Sequence, residues 1–450
     1  MKTKLCCILL ALCLLLTLSV SLTSCSLLPF ASIAYAEINE NGELILVYED
    51  GSTQSVGVVV GKDGKDGKDG KNGVNGTNGT SEGSLVITSE GSSIPTASAK
   101  GLRSAVTIVC HFEATVQQGG WRPGSSGTTT KEYSSAGSGV IYQIDHASGD
   151  AFIITNYHVV YDASSDTANG ISDDIRVYLY GAEYEEKAIE ADYVGGSLYY
   201  DIAVLRVENS ALLKSSNTDA VTVCNSNEIA IGEAAIAIGN AQGLGISVTA
   251  GIVSVDSEHI TMTAADGKTE VSFRVMRVDT AINSGNSGGG LYNDEGELIG
   301  IVNAKIVYDG VENIGYAIPS NIAVSVAQNI IDHCFGTNLE SVQRALLGIT
   351  VSTVDSKAVY DAQTGLISIK ETVSVYEVSD GSASDGVLRE GDVLLSAVLN
   401  DKTTEITRQF HLIDLMLDLR VGDTLTLNIL RNDTEKTVNI TITQDCMTAY

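Results

Sequence analysis

From residue 102 onward, short apolar runs rich in β-branched residues recur about every 8–15 residues, with turn-forming residues between them. Many short strands at this spacing predict an antiparallel sandwich or barrel. A helix is expected to follow at Ser320–Cys334, where the apolar residues recur at helical spacing. The predicted strands are Ala105–Cys110, Gly139–Ile144, Ala151–Thr155, Ile175–Leu179, Ile202–Val207, Ala234–Gly239, Gly251–Val255, Val271–Val278 and Leu298–Ala304.

Residues 346–445 form a second predicted unit, in which strands surround one amphipathic helix at Arg408–Leu419. Length permits this division, because 450 residues are enough for two to four domains of roughly 100–200 residues each. The fold class is therefore mainly β, with a smaller α+β domain at the C-terminus.

The chain is strongly acidic, with 56 Asp and Glu residues against 27 Lys and Arg residues and a formal net charge of −29. Phosphate backbones are bound by basic surfaces, so nucleic acid is excluded as the main partner. The same charge argues against loose adhesion to an anionic membrane.

The N-terminus has the layout of a secretory signal peptide, predicted at residues 1–24. Lys2 and Lys4 precede an apolar run at Leu5–Leu22. The segment Leu22-Thr23-Ser24-Cys25 resembles the bacterial lipobox, which predicts lipidation of Cys25. Two alternatives stay open, an uncleaved transmembrane anchor and cleavage after Ala36. All three place the remainder outside the cytoplasmic membrane.

Residues 25–97 are predicted to be a lipid-anchored tether. A small β element is expected at 37–60, with a hairpin turn at Asp50-Gly51. Glycine then recurs at every third position from Gly61 to Gly79, the period of collagen. The run is short and contains no proline, so a flexible spacer is the favoured interpretation and a trimeric collagen-like stalk is the alternative.

The cysteines outside the signal region predict no disulfide framework. Cys110, Cys224, Cys334 and Cys446 are spread over more than 300 residues, and we expect buried free thiols. No CxxC or His/Cys cluster suggests a metal site, and no cofactor is predicted.

Three segments carry residues suited to acyl transfer. His158 follows a predicted strand, Asp201 begins another, and Ser287 lies in a glycine-rich loop. A serine hydroxyl needs an imidazole to accept its proton, and the imidazole needs a carboxylate to orient it. The glycine-rich loop lets backbone N–H groups point at the developing oxyanion. The order His, Asp, Ser excludes the α/β-hydrolase arrangement, which needs Ser first.

These segments, with their neighbours, resemble the HtrA/DegP-type serine proteases. The resemblance covers about residues 100–446. It implies a trypsin-like double antiparallel β-barrel at 98–335 and a PDZ domain at 345–446. It further implies ATP independence and a homotrimer. The matching segments are TNYHVV at 155–160, YDIAVLRV at 200–207, INSGNSGGGL at 282–291, GELIGIVNA at 296–304 and NIGYAIPSN at 313–321.

Residue by residue, the resemblance implies His158 as general base, Asp201 as its orienting carboxylate and Ser287 as nucleophile. The N–H groups of Gly285 and Ser287 would form the oxyanion hole, with that of Asn286 assisting. Asn286 stands where trypsin-like zymogens have an aspartate that pairs with a new N-terminus, so we expect no activation by such a cut. Loop ordering is expected instead, with Gln117–Lys131 as one mobile loop.

Substrate contacts are implied by the same resemblance. Ile282 and Ile314 would line the specificity pocket, which favours a small or medium aliphatic residue before the cleaved bond. The run Ile301–Ala304, including Val302, Asn303 and Ala304, is expected to pair with an extended substrate backbone.

In the C-terminal unit, Leu347, Gly348 and Ile349 resemble the carboxylate-binding loop and first groove strand of a PDZ domain. The LREGDVL segment at 388–394 is similar to a family motif. The sequence departs from the family pattern at Gly386-Val387 and at Asn400-Asp401-Lys402, which leaves the peptide specificity open. The apolar helix residues Phe410, Ile413 and Leu417 are expected in the core.

The predicted function is an extracytoplasmic, membrane-anchored serine endopeptidase that degrades misfolded or damaged exported proteins. Its partners are unfolded polypeptides at the active site and peptide C-termini at the PDZ domain. The alternatives are a regulatory protease with one membrane substrate and a chaperone with an idle site. The signal indicates a bacterium, and the long spacer favours a Gram-positive cell surface.

Overall fold

A computed structural model describes residues 33–39, 43–48, 51–58, 93–118, 127–183, 185–304, 314–337 and 342–449. The chain divides into two units, residues 1–84 and 85–450. The predicted signal peptide, Cys25 and the glycine repeat lie outside the described residues. Within the described ranges, no helix is long and apolar enough to cross a membrane.

The N-terminal unit contains an antiparallel sheet in the order β1-β2-β3. Its hairpin between β2 and β3 turns at Gly51, whose φ of 81° is a left-handed value that glycine adopts without strain. The hairpin was predicted, whereas β1 was not. The strands are β1 (Ile33–Ile38), β2 (Glu43–Tyr48) and β3 (Thr53–Val58).

The first described element of the second unit is a helix that the sequence did not predict, α1 (Ile94–Leu102). Ser93 caps it by accepting a hydrogen bond from the Thr96 N–H, and Gly101 lies against Ile238 and Tyr292. The tether was predicted to end at residue 97, but that residue lies within this helix. The folded domain therefore includes Ser93 and the residues that follow it.

Six antiparallel strands close a first barrel in the order β4-β5-β6-β9-β8-β7. In β7 every second residue is buried, as expected for a strand with one face on a core. The elements are β4 (Ala105–Gln118), β5 (Gly127–Asp145), β6 (Asp150–Thr155), α2 (Tyr157–Val160), β7 (Asp174–Leu179), β8 (Ile189–Ser197), β9 (Ile202–Val207) and α3 (Ala211–Ser215).

A second closed barrel has the order β10-β11-β12-β15-β14-β13, so the double barrel implied by the resemblance is confirmed. The helix predicted at Ser320–Cys334 forms over those residues. Its buried face includes Ile322, Val326 and Ile330, four residues apart. The elements are β10 (Ala234–Gly239), β11 (Ser247–Thr263), β12 (Glu270–Val278), β13 (Gly290–Tyr292), β14 (Leu298–Val302), β15 (Gly315–Pro319) and α4 (Ser320–Cys334).

The C-terminal domain, residues 342–449, has a sheet in the order β17-β18-β19-β21-β22, with β20 paired to β19 and β16 paired to β23. Its helix is shorter than predicted, because after Leu415 the chain continues in i to i+3 turns. The elements are β16 (Gln343–Ala345), β17 (Ile349–Tyr360), β18 (Ile367–Val378), β19 (Val393–Leu399), β20 (Lys402–Glu405), α5 (Gln409–Leu415), β21 (Thr424–Arg431), β22 (Thr434–Thr441) and β23 (Met447–Ala449).

One face of α5 packs on the second barrel. Phe410 stacks under the guanidinium of Arg274 in β12, and Asp414 forms a buried ion pair with the same arginine. Leu417 belongs to a core shared with the barrels. Of the residues predicted in the core, Phe410 and Leu417 are buried against the other domain and Ile413 is half-buried, while Leu412 and Met416 fill the C-terminal domain's own core.

The four cysteines among the described residues are free thiols. Cys110, Cys334 and Cys446 are buried as expected, and Cys224 is half-buried. Burial raises the pKa of Cys110 to about 12, which makes its thiol unreactive at neutral pH.

Candidate active site

Pairing between β6 and β9 brings His158 and Asp201 together. The two strands are antiparallel, with Thr155 opposite Ala203. His158 lies three residues beyond one member of this pair, and Asp201 lies two residues before the other. Both therefore emerge at the same end of the first barrel, a juxtaposition that a separation of 43 residues in the sequence does not reveal.

The carboxylate of Asp201 is buried and surrounded by donors. Its Oδ2 lies 2.6 Å from Nδ1 of His158 and accepts a hydrogen bond of 2.8 Å from Nδ2 of Asn303. Its Oδ1 accepts the backbone N–H of His158 at 3.0 Å. Because a carboxylate only accepts, this geometry places a proton on Nδ1 and leaves Nε2 of His158 to act as a base.

Asp201 itself has a φ of 53°, in the left-handed region that aspartate tolerates better than most residues. Its backbone carbonyl accepts hydrogen bonds from Nδ2 of Asn156 and from the N–H of Tyr157. The strained turn at Asp201 is thus held by hydrogen bonds to both the side chain and the backbone of this residue, so the imidazole of His158 has one defined orientation.

The loop that carries Ser287 needs glycine at two places. Gly285 has a φ of 96°, and a Cβ there would lie 2.2 Å from the carbonyl oxygen of Asn240. Gly288 has a φ of 81°, and a Cβ there would lie 2.2 Å from the carbonyl oxygen of Ser138. Any side chain at either position would displace the backbone on which the nucleophile is mounted.

Ser138, in β5 of the first barrel, holds this loop in place. Its Oγ donates to the carbonyl of Gly285 at 2.7 Å and accepts from the N–H of Asn240 at 2.8 Å. Its backbone N–H donates to the carbonyl of Ser287 at 2.8 Å. The sequence does not predict this role, because a serine just before the predicted strand Gly139–Ile144 carries no local signal of it.

The three backbone N–H groups of the predicted oxyanion hole differ in their hydrogen bonding. Within the described part of the chain, those of Gly285 and Ser287 have no hydrogen-bond acceptor, whereas that of Asn286 donates to the carbonyl of Asn283 at 3.0 Å. The expected assistance from Asn286 is therefore wrong, because its N–H is already used by the turn. Two unpaired donors, one on the serine itself and one two residues before it, are suited to bind a developing negative charge.

Ser287 is a buried residue, 4% exposed, and its hydroxyl oxygen accepts a 3.2 Å hydrogen bond from the N–H of Ala304. Among the described residues no hydrogen bond joins it to His158. The oxygen can accept from Ala304 and still donate, so transfer of its proton to Nε2 would require only that the hydroxyl and the imidazole come within hydrogen-bond reach.

Only part of the run Ile301–Ala304, which was predicted to pair with a substrate backbone, is free to do so. β14 is paired with β13 and β15 on its two sides, and the N–H and C=O of Val302 both bond to the Ser287 loop. The prediction that Ile301 and Val302 pair with substrate is therefore wrong. Any such pairing starts at or beyond Asn303, whose side chain is committed to Asp201.

The pocket wall predicted at Ile282 and Ile314 stays a prediction, and Ile282 lies close to the backbone beside Ile314. A Cβ on Gly315, next to Ile314, would lie 2.6 Å from Cδ1 of Ile282. Both isoleucines are half-buried. The predicted mobile loop Gln117–Lys131 falls partly outside the described residues, and its described ends are paired strand.

In the C-terminal domain, Gly348 has a φ of 71° between Leu347 and the start of β17 at Ile349. The carbonyls of Leu347 and Gly348 accept hydrogen bonds from Ser384 and Ser379. The N–H groups of Leu347 and Gly348 have no acceptor among the described residues, which suits them to a carboxylate.

The LREGDVL segment has a structural explanation. The buried carboxylate of Asp392 forms two hydrogen bonds with the guanidinium of Arg431, at 2.7 and 2.6 Å, and caps the N–H of Arg389. Burial alone would raise the pKa of Asp392, but these donors outweigh it and hold the pKa below its ordinary value.

Comparison with known protein families matches residues 137–301 to a trypsin-like peptidase domain and residues 345–442 to a PDZ domain. The chain is 31% identical over 363 residues to "Serine protease Do-like HtrA" of Bacillus subtilis (strain 168), covering 79% of this chain and 74% of the relative. It is also 32% identical over 332 residues to "Periplasmic serine endoprotease DegP" of Escherichia coli (strain K12), covering 73% of this chain and 60% of that protein. Among solved structures, "HtrA-type protease AlgW with decapeptide" matches 78% of this chain and 98% of that chain, with 27% identity and a TM-score of 0.46.

Proposed function

Because the chain belongs to the Do-like HtrA family of serine endopeptidases, we propose that His158, Asp201 and Ser287 are its catalytic triad. The observation that carries this proposal is the 2.6 Å contact between His158 Nδ1 and Asp201, which leaves Nε2 as the base. In the proposed mechanism Nε2 takes the Ser287 proton as Oγ attacks the peptide carbonyl. It then returns the proton to the leaving amine.

The N–H groups of Gly285 and Ser287 bind the oxyanion of the tetrahedral intermediate in this proposal. Their lack of other acceptors among the described residues supports the assignment. Ile282 and Ile314 line the specificity pocket together with Ala304, and an aliphatic residue precedes the cleaved bond. Such a pocket offers apolar contact and no carboxylate for lysine or arginine.

The proposed substrates are misfolded or damaged exported proteins, and the PDZ domain receives peptide C-termini at Leu347, Gly348 and Ile349. We further propose a protein that is lipidated at Cys25, trimeric and outside the cytoplasmic membrane of a bacterium. The proposed divisions are a signal at 1–24, a tether to residue 92, the protease domain at 93–337 and the PDZ domain at 345–446. Cleavage after Ala36 is disfavoured, since it would cut β1.

The test is digestion of unfolded casein by the wild-type chain and by the Ser287→Ala variant. We expect digestion by the wild type and none by the variant. Equal and negligible digestion by both would leave a peptide-binding protein with an idle site. Cleavage of one folded membrane protein, without activity on a panel of unfolded proteins, would favour the regulatory protease instead.

A further inference from the structure

The strands β17 and β18 extend beyond the body of the C-terminal domain as a two-stranded ribbon. Residues 353–370 are exposed except Val359, which is half-buried, and they pair in register from Asp355 opposite Thr372 to Tyr360 opposite Ile367. An isolated two-stranded hairpin is only marginally stable in water. A ribbon of this length without a covering element is therefore unusual.

The two faces of the ribbon differ in chemistry. Directly paired residues share a face, so one face carries Tyr360 with Ile367 and Ala358 with Ile369. The opposite face carries Lys357 opposite Lys370. Tyr360 and Ile367 are 65% and 60% exposed. The ribbon thus presents an apolar face, defined here as Ala358, Tyr360, Ile367 and Ile369.

This apolar face continues the core-facing side of the sheet. Alternate residues of β18 share one side, and on that side Val373 and Val375 are fully buried in the domain core. The part of this side that α5 covers ends at Glu371, whose carboxylate accepts the N–H of Gln409 at 2.8 Å at the start of α5. Beyond Glu371 no described element lies over the same side of the sheet.

The ribbon also continues the strand that lines the peptide groove. β17 is the edge of its sheet, and the carbonyl of Val351 accepts the Gln409 side-chain amide at 3.2 Å, so α5 forms the other wall. A peptide added antiparallel to β17, with its carboxylate at Gly348, has its upstream residues running toward Tyr360. The path leads from the groove onto the apolar face.

We propose that the apolar face is an extension of the PDZ groove that binds the residues upstream of a peptide C-terminus. The occupant is an extended segment about as long as the 12 residues of β17, with apolar side chains at alternate upstream positions. The inference rests on the proposed function of the groove. A register shift at Val354 interrupts the edge, so the upstream part is held by side-chain contacts more than by an unbroken ladder of hydrogen bonds.

The test measures peptide binding by fluorescence anisotropy to the full chain carrying Ser287→Ala, which prevents cleavage. The probes share the C-terminal pentapeptide that binds best in an array of free-carboxylate pentapeptides. One probe is the pentapeptide alone. The others extend it to the length of β17, either with valine at alternate upstream positions or with serine there. We expect the valine probe to bind about tenfold more tightly than the serine probe.

The double variant Tyr360→Ser with Ile367→Ser should abolish this tenfold difference and leave pentapeptide affinity unchanged. The matched control, Lys357→Ser with Lys370→Ser, changes the opposite face and should retain the difference. Pentapeptide binding without any gain from the valines would overturn the extended groove alone. Failure of every probe to bind would overturn the PDZ groove as well.

Two further results would assign the apolar face to another occupant. If the first double variant changes the oligomer mass measured by light scattering without peptide, the face contacts a second copy of the chain. If it removes binding of the unlipidated chain to phosphatidylcholine vesicles, the face contacts a membrane. Either result overturns the proposal, and unchanged mass and vesicle binding support it.

Discussion

Asp201 and Asp392 are both buried carboxylates in motif-like segments, yet their partners differ. Asp201 meets an imidazole at 2.6 Å and a neutral amide at 2.8 Å. Asp392 meets a guanidinium through two hydrogen bonds. An imidazole can gain and lose a proton during a reaction, whereas the guanidinium of Arg431 is always charged.

The difference indicates what each carboxylate does. A carboxylate beside a titratable base stabilises a charge that appears only during the reaction, so its removal should affect rate more than folding. A carboxylate paired with a permanent cation balances a charge that exists in the folded state, so its removal should affect folding more than rate. Four predictions follow this contrast from the largest effect to the smallest.

Replacing Asp201 by asparagine should lower kcat/KM about 10⁴-fold. The amide can donate to Nδ1 of His158, which moves the ring proton to Nε2 and removes the base. Initial rates on a peptide substrate, together with thermal unfolding, test this. We expect a melting temperature close to that of the wild type, and a rate within tenfold of wild type would contradict the assigned role.

Replacing Asp392 by asparagine should lower the free energy of unfolding by about 3 kcal/mol, because it leaves a largely buried guanidinium without its counter-charge. Cleavage of a short peptide by the folded variant should stay within about twofold of the wild type. Calorimetry and initial rates provide the measurements. The matched control is Asp385→Asn, an exposed carboxylate, for which a comparable loss of stability would refute the argument from burial.

Replacing Asn303 by alanine should lower kcat about tenfold, because it removes one of the donors to the Asp201 carboxylate. With one donor fewer, the carboxylate holds the imidazole less firmly, so kcat should fall while KM stays close to the wild-type value. Asn303→Ser, which retains a donor, should recover part of the rate. The same loss of rate in Asn303→Ser as in Asn303→Ala would indicate a packing defect.

The lowered pKa of Asp392 also predicts a pH effect on stability. A carboxyl group whose pKa is lower in the folded state contributes stability above its unfolded pKa, and this contribution is lost as the pH falls through the folded value. Stability of the wild type should therefore decline below about pH 4, and the decline should be shallower in Asp392→Asn. Parallel slopes for the two proteins would show that Asp392 does not carry the effect.

Much of this architecture is accessible from the sequence because it depends on local patterns. The barrel strands and α4 follow from apolar periodicity, and His158, Asp201 and Ser287 stand out by their residue types and order. α1 was not predicted, because in the sequence it follows a glycine-rich region that reads as a spacer.

Long-range contacts could not be predicted from the sequence. Nothing local indicates that Ser138 clamps the Ser287 loop, that Asn303 turns toward Asp201, or that the N–H of Asn286 is already paired. The same applies to Phe410 and Leu417, whose apolar character predicts burial but not which domain buries them.

The most direct test of the account is labelling by a fluorophosphonate, which reacts only with a serine that a neighbouring base activates. The wild-type chain, Ser287→Ala and His158→Ala are treated in parallel and the modified peptide is identified by mass spectrometry. We predict one label on Ser287 in the wild type, none in Ser287→Ala and little in His158→Ala. An unlabelled wild type, or equal labelling of wild type and Ser287→Ala, would contradict the assignment of Ser287 as the activated nucleophile.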